Sequence, residues 1–196
     1  AAYGYHADNA PLLTEGCPLR GNEEFAYSRH KRLVEEMLAD YRARHPELAQ
    51  LVFRPGTILG ETVRNQITAL FEKPVVMGLS DAATPFNFIW DQDVVAALVA
   101  GARGDKAGIY NLIGDGVMTL REIAVALGKP YVAVPSRVIG AALTALKRLG
   151  RAPYGPEQVR FLKYRPVMGN DALKREFGFR PRKTSREVFA VYAAAH

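Results

Sequence analysis

Two side chains able to hold and move a proton stand four residues apart in Ala26-Tyr27-Ser28-Arg29-His30-Lys31. The run around them reads as a helix from Asn22 to Arg44, because Leu33, Val34, Met37, Leu38 and Tyr41 recur at three- and four-residue steps. On a helix that spacing puts the Tyr27 phenol and the Lys31 ammonium on one face, one turn apart. A free phenol ionises near pH ~10, too high for a base at neutral pH. A fixed cation beside it favours the phenolate and brings it toward the range where acid–base work is efficient. With nine tyrosines and eight lysines in 196 residues, chance alone supplies roughly 0.4 such pairs. An exposed pair on an amphipathic helix has the same spacing, so the rest of the chain has to decide.

The elements that would position this pair are those of a globular α/β protein. The chain is 48% apolar and 23% charged, an ordinary globular composition. Its length suits one large domain, or one domain with part of another. No apolar run approaches the roughly 20 residues that cross a bilayer. No basic-then-apolar leader is present, so neither a membrane nor export is expected and a cytoplasmic location is. Cys17 is the only cysteine, which excludes an internal disulfide and fits a reducing compartment. His6, His30, His45 and His196 are scattered without metal-ligand spacing, so no metal site is expected.

Net charge is +6, and residues 147–187 hold twelve Lys/Arg against four Asp/Glu. Such a segment can meet an anionic ligand or nucleic acid, or form a solvated face. Without a recognition motif or aromatic platform, nucleic acid is not the expected partner.

In chain order, Ala-Ala-Tyr-Gly-Tyr reads as the end of a strand and residues 6–21 as a surface loop. Glu23-Glu24 favour the first turn of the long helix, and Pro46 stops it. Strands are expected at Leu51-Val52-Phe53, Pro74 to Met77, Phe86 to Trp90, Gly108 to Ile113 and Tyr131 to Val134. Helices are expected at 62–72, at Asp91 to Ala102 with Asp91 as cap, after Thr119 with Glu122 completing a capping box, and at Ser136 to Leu149. Gly150 to Pro156 reads as a linker, Asn170 or Asp171 as the cap of a short helix ending before Gly178, and Thr184 or Ser185 as the start of the last helix. Short apolar strands alternating with helices point to α/β architecture with mostly parallel strands. No glycine-rich strand–turn–helix that would cradle a dinucleotide pyrophosphate occurs in the sequence.

Seven segments in order resemble the extended short-chain dehydrogenase/reductases, the NAD-dependent epimerase/dehydratase group. They are Tyr3-Gly4, Thr14-Glu15 with Pro18-Leu19, Tyr27 through Lys31, Arg54-Pro55 with Gly60, Phe88 through Asp93, Tyr110-Asn111, and Phe177-Gly178-Phe179-Arg180-Pro181. The resemblance implies the C-terminal part of a Rossmann-like doubly wound parallel sheet plus a small mixed α/β substrate domain. Residues 1–60 would belong to the dinucleotide-binding domain with its catalytic helix. Residues 61–196 would be mainly substrate-binding, with 108–113 returning to the Rossmann sheet.

It also implies an enzyme. Tyr27 would exchange a proton with a substrate hydroxyl or carbonyl while hydride passes to or from NAD or NADP. Lys31 would hold the nicotinamide ribose, and Arg54 and Pro55 would lie at the cofactor. Tyr3, Asn65 and Arg165 would meet a small-molecule substrate, a sugar nucleotide or related compound, with Arg165 on a phosphate. Two positions depart from the family pattern. Phe86 stands where sugar-nucleotide epimerases often carry a diphosphate-binding arginine, and Gly169 where an aspartate is common. The glycine-rich half of the family pattern has no counterpart in this sequence, so tight dinucleotide binding and turnover are not expected of these residues alone. A homodimer is one way to cover the sheet edge left open. The alternative reading is a non-catalytic dinucleotide-binding or sensing protein of the same fold.

Overall fold

The computed structural model describes residues 1–151, 155 and 157–196. The expected linker at Gly150 to Pro156 falls mostly outside the described residues. Eight short strands and seven α-helices carry the fold. In order they are α1 (Ala26–Arg44), β1 (Leu51–Pro55), β2 (Thr57–Leu59), α2 (Thr68–Phe71), β3 (Val76–Leu79), β4 (Pro85–Phe86), β5 (Phe88–Trp90), α3 (Asp91–Arg103), β6 (Gly108–Leu112), β7 (Met118–Thr119), α4 (Leu120–Ala126), β8 (Tyr131–Val134), α5 (Ser136–Arg148), α6 (Glu157–Lys163) and α7 (Ser185–Ala194).

Three strand pairs are parallel: β1 with β6, β2 with β5, and β3 with β8. The β4–β7 pair is antiparallel. Two apolar cores result. One gathers Phe71, Phe86, Phe88, Ile123, Phe189 and Tyr192 between the strands and α4 and α7. The other gathers Tyr3, Ile89, Leu112, Ile113 and Phe177 around β1 and β6. Adjacent β5 residues, Phe88 and Ile89, face opposite cores, as the two-residue period of a strand requires.

Three expected boundaries move, each because a polar side chain is used elsewhere. α1 begins at Ala26 and has no acidic residue in its first turn. Asn22 accepts a hydrogen bond from the Tyr5 backbone, while Glu23 and Glu24 pair with Arg32 and Arg160. The expected helix over 62–72 shrinks to α2, because the Asn65 side-chain oxygen accepts from the backbone N–H of Ile67 and Thr68 and starts the turn there. The short helix before Gly178 is a π-helical turn, Leu173–Phe177, ended by Gly178 at φ +82°. The Asn170 amide does not cap it; it donates to the Ile113 carbonyl and to Asp115. At α3 the cap position is Trp90, and Asp91 is the first helical residue.

Both capping boxes form, Thr119 with Glu122 and Thr184 with Glu187. α7 buries Val188, Phe189 and Tyr192, so its cap bears on the first core. Thr184→Ala should lower unfolding free energy by about 1 kcal/mol, read as a shift in urea midpoint at unchanged slope.

Candidate functional site

Pro55, Gly56 and Thr57 turn the chain from β1 into β2, and this turn forms one wall of a cavity of about 400 Å³. A Cβ on Gly56 would collide with the Ile113 side chain, so only glycine lets the turn approach β6 this closely. Tyr27, in the first turn of α1, lines the same cavity, as do Tyr5, Phe25, Asn65, Phe161 and Arg165.

What holds α1 against this turn is a buried ion pair. Arg54 donates from Nε and Nη2 to the Glu35 carboxylate at 2.7–3.0 Å, with the two side chains only 8% and 12% exposed. Its Nη1 donates to the Tyr3 hydroxyl at 2.9 Å and to the Glu15 carbonyl at 3.1 Å. The Tyr3 hydroxyl donates in turn to Asn111 Oδ1 at 2.7 Å. Asn111 receives Glu15 Oε1 at its backbone N–H and donates from its amide to the carbonyls of Leu13 and Gly169. Burial pushes the Tyr3 phenol up, against the pull of Arg54 and Asn111.

This network corrects two expectations. Tyr3 is 2% exposed and Arg54 is buried, and neither lines the cavity. Tyr3 is not positioned as a substrate contact, nor Arg54 as a cofactor contact, because their polar atoms are consumed in fastening α1 and the 13–15 segment to β1 and β6. A second anchor joins the last resemblance segments. Asp93, fully buried on α3, accepts from Arg182 Nε at 2.6 Å and from the Arg182 backbone at 2.9 Å.

Tyr27 and Lys31 share one face of α1, with the ammonium 5.6 Å from the phenol ring centroid. Neither the Tyr27 hydroxyl nor the Lys31 ammonium has a hydrogen-bond partner among the described residues. Tyr27 is a rim residue, 58% exposed, and Lys31 is exposed and outside the cavity lining. Asn65 reaches the cavity wall, but its amide is already used: Oδ1 caps the turn into α2 and Nδ2 donates to the Ile58 carbonyl.

Arg165 enters from the far side. Its guanidinium lies 4.0 Å from the Phe86 ring centroid and 4.8 Å from that of Phe161, and Nη2 donates to Thr57 Oγ1 at 3.2 Å. Burial lowers its pKa to about 10, which leaves it cationic at neutral pH. The rest of the basic segment is largely neutralised pairwise. Arg160, Lys163, Lys174, Arg175, Arg182 and Arg186 each meet a carboxylate. Among the described residues no group of three or more His, Cys, Asp or Glu could hold a metal ion, and no helix is long and apolar enough to cross a membrane.

Sequence reasoning missed Tyr5 as a cavity residue. It is 7% exposed, and its ring lies 5.0 Å from Phe161 and 5.8 Å from Phe25. The available signal was its place two residues beyond Tyr3, on the same side of an extended segment.

α6, which brings Phe161 to the cavity, is held with α5 by Asp81. That carboxylate accepts from the Ser136 backbone at 2.9 Å and hydroxyl at 2.6 Å, and pairs with Lys163 at 2.5 Å. These contacts hold its pKa well below the usual carboxylate range. A depressed folded pKa means the stabilisation is present above the ordinary carboxylate pKa and is lost as pH falls through the folded value. Hydrogen-exchange protection of α5 should therefore fall with acidification faster than that of α4. Asp81→Asn should remove that difference.

The fold is that of the C-terminal part of Rossmann-type nucleotide-sugar epimerases and dehydratases. A dTDP-glucose 4,6-dehydratase from Bacillus anthracis, solved in complex with NAD, superposes with a TM-score of 0.68 at 17% identity, covering 99% of this chain and 58% of that one. A Thermus thermophilus UDP-glucose 4-epimerase in complex with NAD gives 0.68 at 21%, covering 100% and 60%. At these identities the likeness is one of fold. An uncharacterised protein of Mycobacterium tuberculosis is 25% identical over 194 residues, 97% of this chain and 50% of the relative. The chain thus spans about half the length of the curated relatives it matches first. No protein-family model matches it.

Proposed function

We propose that this chain carries the catalytic helix and substrate-binding region of an NAD(P)-dependent oxidoreductase of epimerase/dehydratase type. It would act on a small hydroxyl or carbonyl compound, sugar nucleotides among them. The observation that carries the reading is the placement of Tyr27 and Pro55 on one cavity, with the Lys31 ammonium 5.6 Å from the Tyr27 ring. On this reading residues 1–60 serve the dinucleotide side and residues 61–196 the substrate side, with β6 returning beside β1.

The residues present fit the nicotinamide end of such a cofactor. A hydroxyl and an ammonium without protein partners stand close to an apolar turn, and Tyr27, Lys31 and Pro55 would hold it there. The pyrophosphate end requires backbone N–H groups of a glycine-rich turn, which this sequence does not contain. The dinucleotide, when bound, supplies the hydride acceptor and donor. Tyr27 takes the proton from the substrate hydroxyl and returns it to the carbonyl oxygen. Lys31 keeps a positive charge against the ring, the sign that a phenolate needs. Arg54 acts at one remove, holding α1 in place through Glu35. Tyr27→Phe tests the reading: turnover should be lost while the dinucleotide still binds. Full turnover in that variant would favour a dinucleotide-binding protein with its chemistry elsewhere.

A further inference from the structure

Within this cavity, and resting on the reading of it as a substrate site, we propose that Arg165 and Tyr5 form an oxyanion pocket that sets the substrate class. The substrate would carry a single anionic group, carboxylate or phosphate, joined to an apolar or aromatic body that extends from Arg165 toward Tyr27.

The first observation is an unmet charge. Nη1 of Arg165 is buried and has no hydrogen-bond partner, and no carboxylate pairs with Arg165 among the described residues. Folded proteins rarely leave a buried guanidinium without an anion, because desolvation of the charge is not recovered. The two aromatic rings against it return only part of that cost. An oxyanion at Nη1 would supply the remainder through a charge-assisted hydrogen bond.

The second is Tyr5. Its hydroxyl also has no hydrogen-bond partner among the described residues. Its pKa is raised by burial, with the Arg165 charge acting in the opposite sense and Tyr27 adding to the rise. Its phenol is therefore within electrostatic reach of both ends of the proposed substrate, and its O–H is free to donate to the anion bound at Arg165.

The third is the wall between them. Ring contacts run from Arg165 to Phe161 at 4.8 Å, from Phe161 to Phe25 at 5.6 Å, and from Phe25 to Tyr27 at 6.4 Å. That surface suits a flat or apolar body. The wall amides are occupied internally: Asn87 bonds the Gly116 carbonyl and the Met168 N–H, and Asn65 caps α2. Gln66 is the one amide on the lining with no recorded partner, and it is exposed at the surface. One strong anion donor with an aromatic wall selects one anionic group, not a string of phosphates. Phe86 adds to the argument. The position at which the resemblance leads one to expect an arginine holds instead the ring on which Arg165 rests.

Calorimetric titration with phenyl phosphate, benzoate and inorganic phosphate tests this. Phenyl phosphate or benzoate should bind the wild-type protein measurably more tightly than inorganic phosphate, and the preference between the two identifies the anion. Arg165→Met should weaken that binding about ten- to a hundredfold, and Tyr5→Phe about three- to tenfold. Tyr5→Phe removes a single oxygen, so it keeps the test open if Arg165→Met does not fold. Tyr27→Phe should leave probe binding near wild type, so the pocket and the catalytic reading can fail separately. No binding of either aromatic probe to wild type, or binding unchanged in Arg165→Met and Tyr5→Phe, would overturn the proposal.

Discussion

Tyr27→Phe should lower turnover by about two to four orders of magnitude, the usual contribution of a positioned acid–base group. Only one oxygen is removed. The Tyr27 hydroxyl has no protein hydrogen bond to lose, and the side chain is 58% exposed, so stability should change little. The ring remains to face Phe25 and the Lys31 ammonium. A fall in kcat with an unchanged dinucleotide dissociation constant is the expected pattern, because the group acts on the reacting proton and not on ground-state binding.

Arg54→Ala should have the largest effect on stability, about 3–5 kcal/mol by urea unfolding. The substitution leaves the Glu35 carboxylate buried at 12% exposure without its partner, and removes the donor to the Tyr3 hydroxyl and the Glu15 carbonyl. It also strips the guanidinium from the Tyr3 ring, 5.1 Å away. Replacing both charges, Arg54→Met with Glu35→Leu, should recover most of the loss, since no uncompensated charge then stays buried. If Arg54→Ala proves as mild as a surface change, the ion pair does not fasten α1 to β1 as described.

The chemistry-bearing face of α1 was legible because it is local: four residues on a helix fix the relation of Tyr27 to Lys31. The capping boxes at Thr119 and Thr184 were legible for the same reason. The roles of Tyr3 and Arg54 were not, because they are set by partners far away in sequence. Tyr3 meets Asn111 across 108 residues, and Arg54 meets Tyr3 across 51. The residue types in those segments matched a functional pattern equally well whether they faced a ligand or each other, and only the packing separates the two. Tyr5 illustrates the converse. Nothing in its immediate sequence marks it, and its position against Phe25 and Phe161 depends on α1 and α6 closing over the N-terminal segment.

The central claim, that proton transfer in this cavity depends on Tyr27, is tested most directly by a single turnover. Dinucleotide-loaded protein would be mixed with a hydroxyl substrate that the wild type accepts, and the absorbance of the reduced nicotinamide followed. The wild type should show a burst of reduction, and Tyr27→Phe, with both ligands bound, should show none on the same timescale. A burst of equal rate in Tyr27→Phe would contradict the account.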